Sequence, residues 1–185
     1  MPTILHPWAR TRDEQQVETL RFLLSLEPRH YFIRTQECLL PTDYATFLRK
    51  SFALWSTPIF IVEQDIVPTQ KQIAELMECY ENVCVIPYKL REGSASIWEW
   101  DRVSENGFTN HFYEDPYPEF ADNTSLGFIK FSRGAVNRIA KRIDTSVHWS
   151  MIDAHISALL SLEKIPIHVH KGEVIHNRTK GDLRG

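Results

Sequence analysis

Residues 58–80, PIFIVEQDIVPTQKQIAELMECY, carry the reading that decides the fold. Pro58 to Val62 is a continuous apolar run of the kind found in a central parallel strand buried on both faces. Where that strand should end come Glu63, Gln64 and Asp65, followed by Pro68 and Thr69. Thr69 then opens a helix pattern, with Ile73, Leu76, Met77 and Tyr80 at i, i+3, i+4 and i+7. Val83 to Pro87 (VCVIP) reads as the next buried strand. A strand, an acidic turn, a helix and a strand form one unit of an α/β fold.

Working towards the N-terminus, the same alternation continues. Residues 3–6 (TILH) read as a strand, and Thr11-Arg12-Asp13-Glu14 fits a capping box opening a helix. Val17, Leu20 and Leu24, with Phe22 and Leu23, supply that helix's apolar stripe. Residues 30–34 (HYFIR) read as a second strand. Thr42 caps a helix carrying Tyr44, Phe47 and Leu48 on one face. Four strand–helix alternations predict a largely parallel sheet with right-handed crossovers.

Towards the C-terminus the pattern changes. Residues 89–125 hold Trp98, Trp100, Phe108, Phe112, Tyr113, Tyr117 and Phe120 among many polar residues, without a clean period. Such a segment predicts a functional loop region or short antiparallel strands. LGFIKF (126–131) restores a strand, and Ser132 caps a helix bearing Val136, Ile139, Ala140 and Ile143. A further helix spans about 150–162, IPIHVH (165–170) is a last strand, and the tail from Lys171 is polar. The predicted organisation is one domain over 1–185, with a first half (1–88), a second half (89–170) and a tail (171–185).

Composition bounds the function. The 185 residues are 43% hydrophobic and 24% charged, ordinary values for a globular domain. A net charge of −3 gives no basic footprint for nucleic acid. No run approaches the 18 apolar residues of a membrane span, and the N-terminus lacks a signal-peptide pattern. The expected location is cytoplasmic. Three cysteines, Cys38, Cys79 and Cys84, form neither a disulfide framework nor a CxxC pair, although Cys79 and Cys84 could bond across one helix-to-strand turn.

In parallel α/β sheets ligands gather beyond the carboxyl ends of the strands. Glu63 and Asp65 stand there, where a divalent cation with oxygen ligands would relieve their repulsion and bridge to substrate phosphates. The competing reading makes Asp65 a turn cap and Glu63 a solvated side chain. The same E-x-D spacing recurs at Glu99-Trp100-Asp101, where no buried strand precedes it and a structural role is expected.

With these residues in place, the chain resembles the GT-A type of nucleotide-sugar glycosyltransferases. It also resembles, in size and element order, small glycosyltransferase-like proteins of viruses of thermophilic archaea, a setting that would make the location host cytoplasm. In that family a D-x-D motif ends the central strand and holds manganese or magnesium against the diphosphate. Glu63-Gln64-Asp65 is a variant departing at its first position. The resemblance implies a GT-A-like, Rossmann-related sheet with an irregular aromatic-rich acceptor segment, Mn2+ or Mg2+ as cofactor, and a nucleotide-diphosphate sugar as donor. The acceptor would be a glycan or glycoprotein.

The resemblance also implies site residues. Leu126-Gly127-Phe128, Trp149 and then Asp153 match a pattern whose acidic member is the catalytic base, which would make the transfer inverting. Ser150-Met151-Ile152-Asp153 equally fits a capping box. The family often takes a metal or diphosphate ligand from a His after the last strand. His170 is the first choice and His176 the second. The HxH of His168 and His170 also suggests zinc, but no Cys is expected nearby and hard phosphate chemistry wants magnesium or manganese.

Trp8 and Arg10 or Arg12 in the first strand-to-helix loop, Arg34 at the end of the second strand, and Glu63 would contact the nucleotide. Trp98 and Trp100 would stack on the acceptor. The rival readings are a nucleotidylyltransferase, weakened by the lack of glycine in HPWARTR, and a non-catalytic carbohydrate-binding or virion-associated protein on a degenerate scaffold.

Overall fold

The computed structural model describes residues 1–9, 13–27, 29–54, 58–90, 94–101, 109–113 and 116–177. Side chains of 13–16, 100, 101 and 109–112 lie outside that description. The predicted capping box at Thr11–Glu14, together with Arg10 and Arg12, therefore falls outside the described residues.

The elements run, in order, β1 (Thr3–Trp8), α1 (Asp13–Ser25), β2 (Phe32–Glu37), α2 (Asp43–Leu54), β3 (Ile59–Val62), β4 (Ile66–Val67), α3 (Gln70–Glu78) and β5 (Val83–Val85). The second half comprises β6 (Ile97–Asp101), β7 (Thr109–Phe112), β8 (Phe120–Ala121), β9 (Asn123–Thr124), β10 (Phe128–Phe131), α4 (Arg133–Ile139), α5 (Ile152–Leu162), β11 (Ile167–Val169) and β12 (Ile175–His176).

The central sheet has seven strands in the order β2-β1-β3-β10-β5-β11-β8. Five run in one direction, while β10 and β8 run against their neighbours. The strand predicted from LGFIKF is thus the antiparallel member at the centre, wedged between β3 and β5. Alternate β3 residues serve opposite layers, which is why PIFIV reads as unbroken apolar sequence. Ile59 and Ile61 join a core that includes α2, α4 and α5 residues. Phe60 and Val62 join another that includes Leu23 of α1, Leu26 just past its end, and Ile73 and Leu76 of α3. The fold is an α/β/α sandwich.

Local signals fared unevenly. Thr69 caps α3 in a complete capping box with Gln72, and Ser132 accepts the Ala135 amide at the start of α4. Val136, Ile139, Ala140 and Ile143 are all buried as predicted. On α3 only Ile73 and Leu76 are buried, because the helix ends at Glu78 and Met77 and Tyr80 face out. On α1 Thr19 and Leu23 are buried, with Leu26 buried just past its end, whereas Val17 and Leu24 are exposed.

The aromatic middle segment resolves into a three-stranded antiparallel sheet, β7-β6-β9. The polar tail is partly structured: β12 pairs antiparallel with β4 directly after the acidic turn. That pairing places His176 opposite Ile66, one residue past Asp65. Among the described residues, no helix is long and apolar enough to cross a membrane.

Candidate functional site

The E-Q-D turn is fixed by its middle residue. Gln64 points inward, its Oε1 accepting the Ala9 amide at 2.6 Å just past β1. Its carbonyl accepts the Thr19 hydroxyl from α1 at 2.7 Å, and that hydroxyl also lies 2.9 Å from the Ile66 carbonyl. Anchored this way, the turn sends Glu63 and Asp65 to separate partners.

Glu63 accepts a 2.8 Å hydrogen bond from the Tyr44 hydroxyl of α2, while its amide donates to the Gly127 carbonyl at 3.0 Å. Asp65 Oδ2 lies 3.0 Å from His176 Nε2, with both side chains only 7% exposed. The His176 ring in turn lies against Tyr88, with centroids 4.4 Å apart. Gly127 makes this arrangement possible. A Cβ there would sit 2.5 Å from the Tyr88 ring and 3.2 Å from Ile66, so no larger residue fits without displacement.

Asp153 completes the group from the first turn of α5. Its Oδ1 accepts the Leu126 amide at 3.3 Å, next to the Gly127 carbonyl that receives Glu63. The capping box proposed for Ser150–Asp153 does not form. His148 accepts the Ser150 amide through Nδ1, and α5 begins without a side-chain cap. Asp153 is only partly exposed, and desolvation pushes its carboxyl up to about 7 against the opposing effect of the Leu126 amide. A carboxyl poised near neutrality is suited to proton transfer.

Two tyrosines tie the three acids into one electrostatic unit. Burial, and after it the charges of Glu63 and Asp153, push the Tyr44 hydroxyl well above its usual range. Tyr88 is raised in the same way, with Asp65 adding to the effect. Both phenols therefore stay protonated, and Tyr44 donates to the Glu63 carboxylate. Sequence reasoning treated Tyr44 as a core residue of its helix and passed over Tyr88. Yet Tyr88 lies three residues beyond β5, the same kind of strand-end position that singled out Glu63 and Asp65.

The remaining predicted residues are placed as follows. His170 is held by Glu75 of α3, Nδ1 to Oε1 at 2.9 Å, and it is His176 that meets Asp65. Trp8 ends β1 half-buried, its carbonyl accepting the Cys38 amide at 2.7 Å. Arg34 is exposed opposite Leu5 in mid-strand rather than at a strand end, because β2 starts and finishes later than HYFIR suggested. Trp98 is 6% exposed, and its carbonyl accepts from the Asn123 side-chain amide. The Trp100 side chain lies outside the described residues. Trp149, four residues before Asp153, is 54% exposed.

With that geometry established, comparison with known proteins adds the following. The chain is similar in fold to A197 from STIV, a protein of known crystal structure. The two share 12% identity and a TM-score of 0.62, over 97% of this chain and 95% of that one. At this identity the likeness concerns the fold alone. No protein-family model and no curated protein matches the sequence.

Proposed function

We propose that this protein is a metal-dependent glycosyltransferase of the GT-A type, taking a nucleotide-diphosphate sugar as donor and a hydroxyl as acceptor. The observation that carries the reading is the convergence of Glu63, Asp65 and Asp153, from β3's end and the start of α5, around Tyr44 and Tyr88. The donor set suits magnesium or manganese, which take hard oxygen ligands. Asp65 Oδ2 and His176 Nε2, 3.0 Å apart, would hold the ion. When bound, the ion would neutralise charge developing on the departing diphosphate.

The chain's own groups supply the rest. Glu63, fixed by Tyr44, faces the donor. Asp153 receives the acceptor's hydroxyl proton on a carboxylate oxygen as that hydroxyl attacks the anomeric carbon, and direct displacement inverts the centre. Burial keeps Asp153 basic enough for the role. The exposed indole of Trp149 offers a flat apolar face for an acceptor sugar.

The reading is tested by titrating the protein with UDP-, GDP- and dTDP-sugars with and without manganese, and by following nucleotide release. Manganese-dependent binding and release of nucleoside diphosphate are expected. A protein that binds free sugar but no nucleotide sugar would instead be a carbohydrate-binding module.

A further inference from the structure

A second cluster lies under α3, on the sheet face that carries Phe60 and Cys84. Cys79 ends α3, Cys84 lies in β5, and His168 and His170 lie in and just after β11. The sequence separates the cysteines from the HxH by more than 80 residues. Pairing of β5 with β11 sets His168 directly beside Cys84, with Lys130 of β10 on Cys84's other side. The cysteines are joined as a disulfide, their Cα atoms 6.8 Å apart, at the wide end of disulfide spacing.

The histidines are arranged as ligands are. Cys79 Sγ is 3.4 Å from His168 Nδ1, and the two imidazoles meet edge to face at 4.8 Å. His170 Nδ1 donates to Glu75 Oε1, which leaves Nε2 with its lone pair. That Nε2 is buried and has no hydrogen-bond partner among the described residues. A carboxylate that fixes the tautomer of a histidine is the usual support for a metal-bound imidazole. The spacing follows from the elements: four helical residues rise about 6 Å and two strand residues about 6.6 Å. Glu75 and Cys79 therefore fall level with His170 and His168.

One potential ligand atom from each of Cys79, Cys84, His168 and His170 lies within 4.8 Å of every other. Ligand atoms of a tetrahedral zinc centre stand about 3.3–3.8 Å apart, given bonds of 2.0–2.3 Å. Side-chain adjustment on opening the S–S bond would close that gap. We propose that Cys79 and Cys84, once reduced, form with His168 and His170 a four-coordinate site for a zinc-class divalent ion that takes the place of the disulfide.

The chemistry balances with a phosphine as reductant. The phosphine gives two electrons to the disulfide and becomes its oxide with oxygen from water, leaving two thiols. The ion then displaces both thiol protons to solvent. Two thiolates cancel its charge, and the buried ammonium of Lys130, which donates to the Cys79 carbonyl, stands beside them. The disulfide pins the end of α3 to β5, and the metal-bound form would tie both to β11, a few residues before His176 reaches Asp65.

The test uses the full chain, reduced with a phosphine, stripped with a chelator and titrated with cobalt(II), then with zinc. One equivalent of cobalt should give the intense visible bands of four-coordinate geometry and a near-ultraviolet thiolate charge-transfer band, both bleached by zinc. The oxidised protein should give neither. Cys79→Ser, His168→Ala and His170→Ala should each weaken cobalt binding by at least about 10–100-fold, and Glu75→Ala by a similar factor through His170. Asp65→Asn and Cys38→Ser should leave the spectrum unchanged. The assignment is overturned if reduced parent protein shows no charge-transfer band, or if the band survives loss of either histidine at unchanged affinity.

Discussion

Asp65 and His176 stand 111 residues apart in sequence and meet at 3.0 Å in a pocket that leaves each side chain 7% exposed. The contact exists because β12 pairs with β4, bringing the chain's last described strand back across the acidic turn. It makes the end of the chain part of the candidate site.

His176→Ala should therefore have two effects. Removing one side of this buried hydrogen bond costs about 1–3 kcal/mol of stability. Manganese-dependent donor binding should also fall by about tenfold or more. Asp65→Asn, whose side-chain oxygen can still accept a hydrogen bond from His176, should lose the metal dependence while keeping most of the stability. Denaturant midpoints and calorimetric titration separate the two. Unchanged manganese-dependent binding in both variants would remove these residues from the metal site.

Asp153→Asn should keep its acceptance of the Leu126 amide while losing the basic oxygen. Turnover should drop roughly 10²–10⁴-fold with donor affinity nearly intact. Since no capping box involves Asp153, a lowered melting point with normal turnover would refute its role as base.

The same carboxyl predicts a pH dependence of stability. Its folded value, about 7, lies above the unfolded value near 4. Between those limits the folded state holds the proton more tightly, so stability falls as pH rises from about 4 to about 7 and levels off above. Asp153→Asn should flatten that slope in denaturant melts taken across the window. An equal slope in the variant would assign it to another group.

Tyr44→Phe should remove a hydrogen bond to a carboxylate, typically a loss of about 1.5–3 kcal/mol. Donor affinity should weaken with it, because Glu63 loses its fixed orientation. Stability loss without any change in donor binding would confine the pair to a structural role.

Gly127→Ala should destabilise by about 1–3 kcal/mol, since its methyl would meet the Tyr88 ring. Adding Tyr88→Ala should recover part of that loss, giving a measurable coupling between the two positions. Strict additivity would mean that the chain accommodates the methyl elsewhere.

Local sequence determined whatever depends on neighbours in the chain. The apolar run PIFIV identified the doubly covered strand, Thr69 and Ser132 marked helix starts through their own hydroxyls, and the strand-end rule selected Glu63, Asp65 and, through resemblance, Asp153. Tertiary structure decided which side chains meet. Antiparallel insertion of β10 brought Gly127 and Leu126 between the two acids, and the β4–β12 pairing chose His176 over His170 as the partner of Asp65. The HxH looked remote from any cysteine until β5 and β11 paired and α3 laid Cys79 over them. Helix and strand periods are set within a few residues by backbone geometry, whereas strand order depends on burying whole faces at once.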